Sequence, residues 1–260
     1  MTTEPVPVFP SDRLDLWLIR SPVGGTDALD LSDLDAVERA RARAFVRPGD
    51  GPLYAAAHVG LRRLLGRYTG RPPAELRFAF DPRPDHGKSR GRPVLAEVPL
   101  PLHFSLSHSS GVALVGVAAR PLGVDVQKLP RAETVEVCAR ALHPAERTEL
   151  AAASPYDRSL LFGRLWTRKE AYLKGLGTGL RRAPAQDYLG LRASAYPADW
   201  TVLSIDAPCL PTHAVAVAVR RPAPGEAGLR RVPGHWLDAT DAWSREDTPE
   251  PVRVAFLSEP

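Results

Sequence analysis

Residues 166–174 read WTRKEAYLK, and the apolar spacing around them predicts a long helix from about Tyr156 to Leu176. In such a helix Trp166, Glu170 and Lys174, each four residues from the next, would fall in one line on one face, with Lys169 beside them. A neighbouring face carries the apolar side chains of Leu161, Leu165, Tyr172, Leu173 and Leu176. The pattern therefore predicts a helix that packs on a core and presents one carboxylate with nearby ammonium groups.

Two interpretations of this helix face are open from the stretch alone. Glu170 and Lys174 could form an ordinary solvated pair one turn apart, worth about 0.3 to 0.5 kcal/mol. Alternatively, a carboxylate flanked by ammonium groups suits a divalent cation and a phosphate. Trp166 is expected to be a core aromatic in either case. The remainder of the chain decides between these readings.

Composition indicates a globular protein without a membrane-spanning segment. The chain has 260 residues, 44% of them hydrophobic, and no run reaches the roughly 18 apolar residues that a transmembrane helix needs. The residues after Met1 lack the basic and apolar segments of a secretory signal. Cys138 and Cys209 are far apart and have no CxxC partner, which disfavours a disulfide scaffold or a zinc site. We therefore expect a cytoplasmic protein.

The cations of this chain are mostly arginines. The formal net charge is +4, and the lysines are Lys88, Lys128, Lys169 and Lys174. Guanidinium groups favour phosphate and carboxylate partners, so we expect a polyanionic ligand or an acidic protein partner, although genomic base composition also enriches arginine. No nucleic-acid-binding motif accompanies the basic charge, and we predict no nucleic-acid partner.

A second acid, Asp125, lies between two valines of a predicted strand over residues 122–127. Burying an unpaired carboxylate is costly, so Asp125 should have a cationic partner from the protein or from a metal ion. Upstream, residues 81–91 are rich in proline and glycine and form a loop, which with the following Arg92 carries four cations: Arg83, Lys88, Arg90 and Arg92. This loop could wrap a phosphate-rich ligand or be a plain solvated turn. Ser107 and His108 are expected in a turn that ends a short strand.

The other predicted elements alternate between strands and helices. Strands are expected at residues 14–19, 76–80, 112–119, 188–191, 200–205 and 213–220, and the short strand that ends in the Ser107–His108 turn begins near Phe104. Helices are expected at residues 31–45, 53–68, 134–142 and 144–153. From Pro222 onward the chain gains proline, glycine and charge, which predicts a loosely packed tail.

Taken together, the two acids, the helix lysines and the basic loop are suited to phosphoryl chemistry. Two carboxylates can hold a Mg²⁺ ion that bridges phosphate oxygens while lysines neutralise the leaving group. The chain contains no GxxxxGK[ST] phosphate loop and no GxSxG nucleophile elbow.

Four short motifs carry a family resemblance. Residues 123–127 read GVDVQ and precede WTRKEAYLK, while GRP at 91–93 and FSLSHS at 104–109 lie upstream. In this order and spacing the motifs resemble those of the 4′-phosphopantetheinyl transferase superfamily, in its Sfp-type branch. The resemblance covers most of the chain up to about Pro222.

The resemblance implies an α+β fold with pseudo-two-fold symmetry, in which two similar α/β halves lie in one chain. The halves would be residues 1–120 and 121–222, joined near Arg120, and residues 223–260 would be the tail. It further implies transfer of the 4′-phosphopantetheine group from coenzyme A to a serine of an apo carrier protein, with release of 3′,5′-ADP. Mg²⁺ would be the cofactor, with Mn²⁺ as an alternative.

The resemblance also implies roles for individual residues. Asp125, Gln127 and Glu170 would be the metal ligands, with Glu170 also the base for the incoming serine and Lys174 the partner of the diphosphate. The remaining coenzyme A contacts would come from Arg41, Lys88, Arg92, Ser107, His108 and Lys169. Gln127 departs from the family, in which many members have a third acid, and an amide is a weaker Mg²⁺ ligand.

The partners implied are coenzyme A and acidic carrier proteins of acyl, polyketide or peptidyl type, served by a monomer. Two alternatives stay open: a non-catalytic module of the same fold that binds coenzyme A or a carrier protein, and a different phosphotransferase. Five further histidines lack metal-ligand spacing and are expected to be structural or on the surface: His86, His103, His143, His213 and His235.

Overall fold

A computed structural model of the protein describes residues 9–81, 91–96, 101–222, 226–238 and 252–253. The described strands are β1 (Arg13–Arg20), β2 (Phe78–Phe80), β3 (Pro93–Leu95), β4 (His103–Ser109), β5 (Val112–Ala118), β6 (Leu122–Lys128), β7 (Trp200–Ser204), β8 (His213–Arg220), β9 (Glu226–Arg231) and β10 (Val252–Arg253). The described α-helices are α1 (Ala36–Arg43), α2 (Asp50–Thr69), α3 (Ala132–Cys138), α4 (Pro144–Ala152) and α5 (Arg158–Leu176). Helices and mostly antiparallel sheets make this an α+β fold, as predicted.

The strands form two larger sheets and one small one. The first sheet has the order β10-β9-β1-β5-β4, in which β9 runs parallel to β1 and the other neighbours are antiparallel. The second sheet has the antiparallel order β6-β8-β7, and β2 pairs with β3 separately. The chain passes from the first sheet to the second between Ala118 and Leu122.

Alternation along the strands divides the core into layers. In β1, Trp17 and Ile19 pack with residues of α2, whereas Leu14, Leu16 and Leu18 pack against the second sheet. In the second sheet, side chains of the opposite face, such as Ala216 and Ala218, pack with residues of α5. The layers are therefore α2, the first sheet, the second sheet and α5, in that order.

The two large sheets repeat one connectivity. In the first, β1 is followed by α2 and then by the hairpin β4–β5, and the last strand of the hairpin pairs with β1. In the second, β6 is followed by α5 and then by β7 and β8, and β8 pairs with β6. This repeat gives the two similar α/β halves that the family resemblance implied.

Residues 226–238, part of the segment predicted to be a loosely packed tail, are well packed, whereas residues 239–251 and 254–260 of that tail lie outside the described residues. β9 pairs with β1, and Leu229, Val232 and Trp236 are all buried. The guanidinium of Arg230 lies 2.7 Å from the buried carboxylate of Asp15. Residues 226–238 therefore supply buried apolar side chains and one half of a buried ion pair. The high content of proline and charge in this segment did not predict such packing.

The strand expected at residues 188–191 is also wrong. This segment runs as a loop whose backbone is held by side chains: Leu189 N donates to Glu146 Oε1 at 2.6 Å, and the carbonyl of Gly190 accepts from Arg168 at 2.9 Å. Because buried carboxylate and guanidinium groups satisfy its polar backbone, the segment does not need a strand partner.

The edges of the two sheets meet where β4 lies beside β6, and we call this contact the β4–β6 seam. Its hydrogen bonds come from alternate serines of β4 rather than from a backbone ladder. Val124 N donates to Ser105 Oγ at 3.1 Å, and Lys128 N donates to Ser109 Oγ at 3.1 Å. Ser107, expected in a turn, lies within β4 and uses its hydroxyl in the same seam.

Gly123 allows β6 to approach α5 closely. A Cβ atom at this position would lie 2.0 Å from the carbonyl oxygen of Ala171 and 2.5 Å from the amide nitrogen of Gly175. Both obstacles are backbone atoms of α5, which cannot rotate away. Glycine at residue 123 therefore sets the spacing between the strand that carries Asp125 and the helix that carries Glu170 and Lys174.

We predict that Gly123→Ala destabilises the protein by about 1 to 3 kcal/mol, because the helix must move outward to relieve the overlap. Urea unfolding followed by circular dichroism measures this change. Gly234→Ala is the matched control, since a Cβ there meets no described residue within 4 Å. Equal stability of the two variants would show that the β6–α5 contact is not tight.

Candidate active site

Asp125 is the centre of the site, on the face of β6 that turns toward α5. It is 4% exposed, and its Oδ1 accepts from Lys174 Nζ at 2.6 Å and from Ser107 Oγ at 2.6 Å. Its other oxygen, Oδ2, is buried and has no hydrogen-bond partner among the residues that the structure describes. The cation expected for this buried acid is therefore Lys174, which leaves one carboxylate oxygen unused.

Glu170 lies one helical turn before Lys174 on α5, and its side chain is partly buried. Burial raises the pKa of Glu170, the negative charge of Asp125 raises it further, and the charge of Lys174 lowers it. The structure therefore brings the two predicted acids close enough to interact, although 45 residues separate them. Within the described part of the chain, the carboxylate of Glu170 has no ion-pair partner.

These acids fit a divalent cation. Asp125 and Glu170 together carry two negative charges against the single charge of Lys174, and the unpartnered Oδ2 of Asp125 is available as a ligand. No group of three or more His, Cys, Asp or Glu side chains suited to a metal occurs among the described residues. Two carboxylates suffice for Mg²⁺, which keeps several waters and takes further ligands from substrate phosphates.

Gln127 lies two residues beyond Asp125 on the same face of β6 and is exposed. Its amide has no hydrogen-bond partner among the described residues. Contact between Gln127 and a metal ion remains a prediction.

A cavity of about 210 Å³ opens beside Lys174, between β4 and the C-terminal end of α5. Arg92 and Ser105 line it, and Arg92 donates to Asp81 Oδ2 at 2.7 Å. The chain turns here at Gly177, where φ is +73° and a Cβ would lie 2.8 Å from Cγ of Arg92. Arg92 is thus held over the end of α5, which is compatible with its predicted role as a coenzyme A contact. Lys88, predicted to help there, lies outside the described residues.

His108 lies near the end of β4, where several cations converge. Partial burial of its ring lowers the pKa of His108, and positive charge on His58, Lys174 and Arg41 lowers it further. Tyr54 contacts two of these groups: its ring is edge-on to His108 at 6.3 Å and lies under the guanidinium of Arg41 at 5.8 Å. The structure therefore brings the predicted residues Arg41 and His108 to one cationic region.

Lys169 does not join this group, contrary to the prediction that it contacts coenzyme A. It is 1% exposed, its Nζ lies 2.7 Å from Glu146 Oε1, and it also donates to the carbonyl of Asp187. Consecutive helical residues point in directions about 100° apart, so the neighbour of Glu170 faces α4 instead. Lys169 fastens α5 to α4 and to the loop that contains Asp187.

Ser107 also differs from its predicted role. Its side chain is buried and donates to Asp125, so it orients the acid rather than exposing a hydroxyl to a phosphate. The flanking serines were not predicted, although serine at every second position of β4 signals one polar strand face. Trp166, expected to be a core aromatic, is partly buried against a core cluster, where its ring stacks on Phe162 at 5.8 Å between centroids.

Comparisons with known proteins identify the family of this chain. Residues 121–208 match the model of the 4′-phosphopantetheinyl transferase superfamily. The chain is 33% identical over 177 residues to the 4′-phosphopantetheinyl transferase HetI of Nostoc sp., covering 66% of this chain and 72% of HetI. It is 25% identical over 165 residues to a 4′-phosphopantetheinyl transferase of Bacillus subtilis, covering 64% of this chain and 70% of that relative.

A third relative is the 4′-phosphopantetheinyl transferase Sfp of Bacillus subtilis. The identity is 24% over 150 residues, which cover 58% of this chain and 63% of Sfp.

None of the described helices combines the length and the apolar character required to cross a bilayer.

Proposed function

Because this chain belongs to the 4′-phosphopantetheinyl transferase superfamily, we propose that it transfers the 4′-phosphopantetheine group of coenzyme A to a serine of an apo carrier protein in a Mg²⁺-dependent reaction. The observation that carries the proposal is the convergence of Asp125, Glu170 and Lys174 around an unpartnered carboxylate oxygen. Such a group suits a diphosphate and the cation that accompanies it.

In this reaction the hydroxyl oxygen of the carrier serine forms a bond to the phosphorus that bears pantetheine, and the bond from that phosphorus to the bridging diphosphate oxygen breaks. The leaving group is 3′,5′-ADP. Glu170 takes the proton of the serine, directly or through a water, and its raised pKa makes it a better base than an ordinary glutamate.

Lys174 and Asp125 act on the diphosphate side of the site. Lys174 Nζ is 2.6 Å from Asp125 Oδ1 and its side chain is 31% exposed, so its charge also reaches the ligand region. Asp125 and Glu170 would hold Mg²⁺, or Mn²⁺ as an alternative, with Gln127 as a further oxygen donor. The ion supplies Lewis-acid stabilisation of charge on the diphosphate. Lys174 and Arg92 stabilise the charge that develops on the leaving 3′,5′-ADP.

Membership of the superfamily implies a carrier protein as the partner, and the charge of the chain favours an acidic one. The chain has a formal net charge of +4, which favours encounter with acidic surfaces. Acidic carrier proteins of acyl, polyketide or peptidyl type are therefore the proposed partners.

Incubation of the protein with coenzyme A, Mg²⁺ and purified apo carrier proteins of the three types tests this function. We expect the intact mass of at least one carrier to increase by one phosphopantetheine group, and we expect chelation of the divalent ion to stop the increase. Binding of coenzyme A and carrier without any mass increase would instead support the non-catalytic module.

A further inference from the structure

A carboxylate–imidazole pair lies beside the His108 end of the site. His58 Nδ1 is 3.0 Å from Glu38 Oε1, and the side chain of His58 is 20% exposed. The imidazole also stacks on the ring of Tyr54, with centroids 4.0 Å apart and planes at 27°. The hydrogen bond and the stacking fix the ring, and its Nε2 has no hydrogen-bond partner within the described residues.

Glu38 is itself held in place and ionised. Its Oε2 accepts from Arg62 Nε at 2.8 Å and from the backbone N of Asp35 at 2.9 Å. Burial alone would raise the pKa of Glu38, but the hydrogen bonds of His58 and Asp35 and the charge of Arg62 together lower it. In the imidazolium form the ring of His58 donates from both nitrogens, to Glu38 through Nδ1 and outward through Nε2.

Several cations lie around His108. The charges that act most strongly on its ring are the positive charges of His58, Lys174 and Arg41 and the negative charge of Asp50. The ring of Tyr54 contacts three of the groups in this region: His58, His108 and Arg41. Such a group of cations at a partly open surface suits an anion that carries more than one charge, as a phosphate monoester does.

We propose that His58, held by Glu38, is a further phosphate-binding residue of this protein and that it contacts the 3′-phosphate of coenzyme A. The inference rests on the proposed function. Asp125, Glu170 and Lys174 form the group suited to the diphosphate, so the remaining phosphate of coenzyme A, a monoester, matches the separate cationic region. His58 Nε2 adds a donor there to those of His108 and Arg41.

Comparison of coenzyme A with 3′-dephospho-coenzyme A tests the proposal, since the two ligands differ only in this phosphate. Calorimetric titration gives the ratio of their dissociation constants for each variant. In His58→Gln we expect the preference for coenzyme A to fall about tenfold, the scale of one charge-assisted hydrogen bond, with the affinity for the dephosphorylated ligand unchanged. His58→Lys, which restores a cation, should recover part of the preference.

His235→Gln is the control, because His235 is exposed on the 3₁₀ turn Gly234–Trp236, away from Tyr54 and His108 in the chain. It should leave the preference unchanged. An equal loss of affinity for both ligands in His58→Gln would mean that His58 only supports α2, and no loss would mean that it does not contact the ligand. Either result overturns the inference.

A second measurement uses the unaltered protein and does not depend on the folding of a variant. The imidazole resonances of His58 should shift on addition of 3′,5′-ADP and much less on addition of 5′-ADP. Equal shifts would contradict the proposal. Carrier loading by the unaltered protein tests the proposed function separately. If the protein loads a carrier but its His58 resonances shift equally with 3′,5′-ADP and 5′-ADP, this inference is wrong and the proposed function stands.

Discussion

Glu170→Gln is expected to reduce the rate of phosphopantetheine transfer by at least about 10³-fold, within the range of removing a general base. The amide keeps the size of the side chain but can neither accept the serine proton nor supply an anionic ligand to a divalent ion. Because the carboxylate of Glu170 has no ion-pair partner within the described residues and burial raises its pKa, the folded state gains little from its charge. The thermal stability of the metal-free variant should therefore equal or exceed that of the parent protein.

The measurement is kcat/KM for carrier loading, followed by mass, together with the melting temperature. Glu75→Gln is the matched control, since Glu75 is exposed on the 3₁₀ turn Pro73–Glu75 and outside α5. It should retain full activity. Near-normal turnover by Glu170→Gln would exclude Glu170 as the base.

Asp125→Asn is expected to lower kcat/KM by a similar factor for a different reason. Asparagine can still accept from Ser107 and Lys174 through its amide oxygen, so the β4–β6 seam should persist. The substitution removes the negative charge that pairs with Lys174. It also puts an amide in the place of the carboxylate whose Oδ2 has no hydrogen-bond partner among the described residues. We expect a higher Mg²⁺ concentration for half-maximal activity as well as a lower maximal rate.

Asp206→Asn serves as the matched control for Asp125→Asn, because Asp206 is an exposed aspartate just after β7. A Mg²⁺ dependence of Asp125→Asn that matches the parent protein would show that Asp125 does not hold the ion.

The sequence predicted the main helices and strands because their patterns are local. The period of α5 and the alternation of β6 are visible in the residues themselves, and so are the acids that they carry. The hidden features depend on contacts between distant segments. Nothing near Lys169 shows that its partner is Glu146 on α4, and nothing near β9 shows that it pairs with β1.

The site was predictable in its residue types but not in its geometry. Asp125 was expected to need a cation, and the structure identifies Lys174 as that cation. The orienting hydrogen bond from Ser107 was hidden because its strand belongs to the other sheet, and sheet edges that meet through side chains leave no pattern of strand pairing. The Glu38–His58 pair joins two helices and was equally invisible in the sequence.

Titration of Mn²⁺ in the presence of coenzyme A, followed by electron paramagnetic resonance, tests most directly whether two acids from different elements share one ion. The account predicts one tightly bound ion in the parent protein and in Glu75→Gln. It predicts an affinity at least about tenfold lower in both Asp125→Asn and Glu170→Gln, since each loses one anionic ligand of a hard cation. Unchanged Mn²⁺ affinity in either variant would contradict a shared ion at Asp125 and Glu170.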